Sequence, residues 1–172
     1  MTKRTNQMTL SAMFIALGVL LPIVFHSIGL GSIFLPMFWP VAAAAFFLPV
    51  SFAALVGILT PLVSFLFTGM PPLSPPILYI MIFELLALSL ITSLLYTRTR
   101  WGIVWPLVAG LLCSRIVLFF MVIPLASVLG LPPQLASAAY ILKGLPGIIL
   151  IIIVSSLLIN RIKHEPIFTN RK

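Results

Sequence analysis

Between Thr5 and Thr97 the chain carries a single charged side chain, Glu84. A stretch of that length cannot form the outside of a water-soluble globule, because almost nothing on it holds water. Composition extends the point to the whole chain: of 172 residues, 62% are hydrophobic and 7% charged, against roughly 25% charged in soluble domains. Most of the outer surface must be apolar and face lipid, so the chain reads as an integral membrane protein.

A helix rises about 1.5 Å per residue and needs about 20 residues to cross the hydrocarbon core, so about six crossings fit. Nothing is left over for an extramembrane domain. Residues 1–172 read as a single membrane domain with short basic tails at 1–7 and 161–172. Hydrophobic runs and Pro/Gly punctuation place spans at 8–26, 33–49, 51–68, 75–96, 101–129 and 135–160. The first run, with Lys3 and Arg4 ahead of it, has the outline of a secretory signal. It has no A-x-A cleavage site and five more apolar segments follow, so it counts as span one.

The stretch from Leu35 to Phe67 has no charge, and as one helix it would be about 50 Å long and overshoot the bilayer. Two short spans joined near Leu48-Pro49-Val50-Ser51 fit better; a re-entrant hairpin over 33–67 is the alternative. Charge parity gives an independent argument. Lys3, Arg4, Arg98, Arg100, Arg161, Lys163, Arg171 and Lys172 share one side only if the number of crossings is even. With six spans the outer loops near 27–32, 69–74 and 130–134 contain no Lys or Arg. Both termini are then cytoplasmic, in the plasma (inner) membrane. Backbone polar groups in lipid need internal partners, and the segments lack the alternation of a barrel, so the expected fold is an all-α bundle of six transmembrane helices.

Several function classes drop out. The net charge of +8 comes from cations flanking apolar segments rather than from a basic patch, so it reports topology and not nucleic-acid binding. Cys113 is the one cysteine, and two histidines with two acids leave little for a metal site, so no metal, cofactor or disulfide is expected. Neither the paired histidines of a metalloprotease nor the Arg/His/acid cluster of a lipid phosphatase is present, and no catalytic residue is assigned.

Three charges lie inside spans: Glu84, Arg115 and Lys143. Each costs roughly 2.5 to 3.5 kcal/mol near the bilayer centre, so each should face the bundle interior, a partner or water. Glu84 and Arg115 fall near mid-depth and can pair, either to hold two helices in register or to contact substrate. Lys143 enters about eight residues from the outer end of its span, roughly 12 Å deep. It either snorkels to the interface or serves as an anion-binding cation beside Tyr140, Gln134 and Gly144. Two cations against one acid favour a ligand with a carboxylate or phosphate. Trp39, Phe38, Tyr79, Trp101 and Trp105 read mainly as interfacial belt residues, though Trp39 and Tyr79 lie toward the outer side where either can stack on a planar ligand. His26 lies at the outer end of span one. Ser11-Ala12-x-x-x-Ala16-x-Gly18 is a small-residue face suited to internal packing or to docking.

Four clusters then resemble a known family. They are Leu35-Pro36-Met37 with Pro40-Val41; Pro61-Leu62 with Ser64; Gly69-Met70-Pro71-Pro72-Leu73 with Pro76; and Met81-x-Phe83-Glu84-Leu85. Together they are similar to the substrate-binding S components of energy-coupling factor (ECF) transporters, as are the length, the six spans and the topology. The resemblance implies capture of a vitamin or related micronutrient from outside, followed by docking on a transmembrane coupling subunit with two cytoplasmic ATPases. It implies docking through Ala12 and Ala16, and lids at 27–34 and 68–76 that include Gly69, Met70, Pro71 and Pro72. It also implies that the whole subunit tips over as it docks. The family's Pro-Met-His-x-Pro has Phe38 in place of His here, and Val63 stands where an Arg precedes the serine, so polar contacts at those positions do not carry over. The chain has no Walker A motif, which assigns ATP hydrolysis to partners. A small six-span structural or morphogenetic scaffold, which needs no ligand pocket, is the alternative.

Overall fold

The structure, a computed structural model, describes residues 3–74, 76–125 and 144–163. Among these the ordered elements are helices: α1 (Lys3–Ser27), α2 (Gly31–Phe34), α3 (Phe38–Phe47), α4 (Val50–Thr68), α5 (Ile77–Arg98), α6 (Val104–Leu125) and α7 (Leu145–Lys163). Four are long and apolar enough to cross a membrane: α1, α4, α5 and the Val104–Val122 part of α6. The apolar stretches of α3 and α7, Phe38–Phe47 and Leu145–Ile159, are shorter.

The expected span at 33–49 is not one helix. α2 stops at Phe34, and Leu35 adopts a left-handed conformation with φ 50° and ψ 53°. Pro36 explains the break: its ring disfavours the helical region for the residue before it, and it has no N–H to continue the ladder. α3 restarts at Phe38 and runs for ten residues, about 15 Å or half the hydrocarbon thickness. It is apolar on all sides and buried at Phe38, Pro40, Val41, Ala42, Ala44, Ala45 and Phe46, as expected of a helix enclosed by others. The turn expected near Leu48-Pro49 is present. Leu48 is extended and its N–H closes on Ala44 O at 2.9 Å, and Pro49 precedes the first turn of α4.

α5 is the central strut, with α4 on one side and α6 on the other. Glycines set both approaches. A methyl group at Gly57 of α4 would stand 2.7 Å from Leu85 O, and one at Gly110 of α6 would stand 2.9 Å from Leu88 O. Without a hydrophobic drive between helices in lipid, contact depends on such close backbone packing. Gly18 of α1 meets the Thr60 side chain of α4 in the same way. One hydrophobic core, which includes Phe38, Val41, Leu85, Leu107 and Ile151, ties α3, α5, α6 and α7 together.

Candidate ligand cavity

A cavity of about 480 Å³ opens at one end of the bundle, within the range of small-molecule sites. Six parts of the chain wall it: the end of α1, the α2–α3 joint, the end of α4 with the loop after it, the start of α5, the second half of α6, and Gly144 before α7. On α5 the wall is Ile77, Ile80, Met81 and Glu84; on α6 it is Arg115, Leu118 and Val122. The α5 residues are the i, i+3, i+4 and i+7 positions of one helical face and the α6 residues the i, i+3 and i+7 positions of another. The exposed cations Lys3, Arg4, Arg98 and Arg161 sit at the opposite ends of α1, α5 and α7, and Arg100 lies just past α5.

The floor is an ion pair. Arg115 Nη2 lies 2.7 Å from Glu84 Oε1, with side chains 16% and 6% exposed. The Arg115 guanidinium carbon is 5.0 Å from the centroid of the Phe38 ring, a cation–π contact. Phe38 reaches this place because the break at Leu35-Pro36 starts α3 beside α5, within side-chain reach of Arg115 on α6. The joint is pinned by Trp39 Nε1, which donates to Phe34 O at 2.8 Å.

At the mouth, His26 Nδ1 lies 2.8 Å from Pro22 O. A carbonyl only accepts, so Nδ1 carries the proton and Nε2 of the neutral ring is an acceptor. The ring packs against Gly31, where any side chain would collide with it. On the other side of the mouth, Gly69 ends α4 in the left-handed region at φ 70°, a conformation that glycine adopts without strain. Thr68 Oγ1 donates to Ser64 O at 2.7 Å and accepts from Met70 N–H at 3.2 Å. Met70, Pro71 and Pro72 then lie along the cavity edge.

Of the residues singled out in the sequence, Glu84, Arg115, His26, Phe38, Gly144, Met70, Pro71 and Pro72 meet at this cavity. Trp39 turns to the α2–α3 joint, and Tyr79 is 55% exposed on the outside of α5; neither lines the cavity. Lys143, Tyr140 and Gln134 lie outside the described residues. Ala12 and Ala16 are exposed on α1, where with Val19, Val63 and Phe67 they line a shallow groove between α1 and α4. The sequence reading placed Phe38 in the interfacial belt and missed its position beneath Arg115, and it missed the apolar walls on α5 and α6. A signal for the walls was available: stepping back three, four and seven residues from Glu84 gives Met81, Ile80 and Ile77, and stepping forward three and seven from Arg115 gives Leu118 and Val122.

The family model described as ECF transporter, substrate-specific component, matches residues 6–162. No curated protein and no solved structure matches the chain significantly.

Proposed function

Because the chain belongs to the substrate-specific components of ECF transporters, a family of membrane transport subunits and not of enzymes, we propose that it captures a vitamin-like micronutrient from outside the cell. It then passes the ligand on by docking against a transmembrane coupling subunit driven by two cytoplasmic ATPases. The observation that carries this reading is the cavity, with its apolar walls and its ion pair at depth, at the end of the bundle away from the exposed cations. Cations favour the cytoplasmic side, so that arrangement supports an outward-facing mouth and cytoplasmic termini. Glu84 and Arg115 serve as the inner contacts and Met70, Pro71 and Pro72 as part of the lid, with Lys143 and Tyr140 as further ligand contacts. Trp39 and Tyr79 act near the mouth, Trp39 by holding the α2–α3 joint. Exposed Ala12 and Ala16 serve as the docking face.

The test is to purify the protein in detergent from cells grown in rich medium and to identify retained small molecules by mass spectrometry. One compound at about equimolar amount is the expected result. Protein that keeps nothing, and that no vitamin or vitamin precursor stabilises against heat, overturns capture in favour of a scaffold.

A further inference from the structure

The contact between Glu84 and Arg115 is close but unfinished. Their nearest atoms are 2.7 Å apart, yet Glu84 Oε1 and Arg115 Nε and Nη2 are all buried and make no aligned hydrogen bond to any described residue. The cavity wall is mostly apolar, with Met81 and Leu118 among its residues and Ser64, Thr68, His26 and Ser27 as its other polar side chains, and among the described residues none of these completes those three atoms. Buried polar groups normally find partners, and an ion pair in a low dielectric offsets its desolvation only when its remaining donors and acceptors are also used. Register between α5 and α6 does not need the pair, because Gly110 already brings the backbones into contact at Leu88 O.

Resting on the reading that the cavity holds a ligand, we propose that the end of the ligand reaching the floor carries a hydrogen-bond donor directly beside an acceptor. A lactam, a ureide or a heteroaromatic ring with adjacent N–H and C=O has this form. Such a group donates to Glu84 and accepts from Arg115 together. A carboxylate end suits Arg115 but meets Glu84 at contact distance, and an ammonium end has the converse conflict. The cation–π contact with Phe38 favours the present placement of Arg115 over one turned away to relieve either conflict. The assignment concerns the floor alone, so an anionic group elsewhere on the same ligand is compatible with it.

Three probes of one shape test this by isothermal titration calorimetry on the purified full chain in detergent at neutral pH. Quinazolin-4-one presents N–H beside C=O, 2-naphthoate presents only acceptors, and 2-naphthylmethylammonium presents only donors. Quinazolin-4-one is expected to bind tightest, by about tenfold or more, the worth of one hydrogen bond to a charged group. Glu84→Gln should weaken it and let 2-naphthoate overtake; Arg115→Gln should do the same for the ammonium. Tightest binding by 2-naphthoate or the ammonium to the unaltered chain overturns the assignment, as does no binding of quinazolin-4-one. Should either variant fail to fold, the ranking on the unaltered chain decides alone. Capture itself stands or falls on the retained-ligand experiment, and a retained compound whose polar groups are acceptors only would sink this inference without touching capture.

Discussion

Glu84 and Arg115 sit where lipid or apolar side chains surround nearly everything else, and each makes the other tolerable. Arg115→Met leaves Glu84 buried without its counter-charge, a loss of roughly 3 to 5 kcal/mol for a broken buried pair. The melting temperature in detergent should fall accordingly. The double variant Glu84→Leu with Arg115→Met removes both charges and should recover most of the loss. A double variant no more stable than Arg115→Met would show that the pair is not the source. The two residues were legible in the sequence because a charge inside an apolar run is costly wherever it lies. Phe38 was not. An aromatic near a span end reads as an interfacial anchor until one knows that Pro36 breaks the chain and directs α3 inward. The same break decides Trp39, whose indole N–H goes to Phe34 O and not toward a ligand.

Among the helices, packing rests on residues without side chains. Gly110→Val would force bulk against Leu88 O and the Thr92 side chain, and overpacking of this kind costs typically 1 to 3 kcal/mol. Thermal unfolding should show the loss, while circular dichroism keeps the helix signal. Gly57→Val should behave alike at the α4–α5 contact. An undiminished melting temperature in both would mean the helices can spread apart at little cost. Helix existence was readable from hydrophobic runs, and the starts of α4 and α5 fall close to the sequence reading, since Pro49 and Pro76 mark them. The interior of 33–49 was not readable, because an apolar run has the same composition whether it is helix or hinge. Three residues, Leu35 in the left-handed region with Pro36 and Met37, separate the one-turn α2 from α3.

For the molecule as a whole, the cavity and the exposed cations lie at opposite ends, and the proposed orientation rests on this polarity. In a Cys113→Ser background, Ser27→Cys and Leu73→Cys should react with an impermeant maleimide added to intact cells. Trp101→Cys should react only after the membrane is opened. The reverse pattern would turn the cavity toward the cytoplasm and end the capture reading. Docking belongs to this scale too: Ala12→Trp or Ala16→Trp should abolish uptake in cells while leaving ligand affinity within about twofold, since singly altered surface positions rarely disturb a distant site. Normal uptake in both variants would remove α1 from the docking face. The cations flanking the apolar runs made the orientation an argument available from sequence, whereas the cavity depends on where six separate segments converge.

On α1 only Ser11, Gly18 and Pro22 are buried, a narrow seam along a helix of 25 residues. Fitness measured for every replacement along this helix should therefore come out banded. Positions such as Met13, Leu17 and Val24 should accept almost any greasy residue, and Gly18, pressed on Thr60, almost none. Ala12 and Ala16 would form a second intolerant band if a partner sits there, and that band should vanish when selection asks for folding and not for growth on the nutrient.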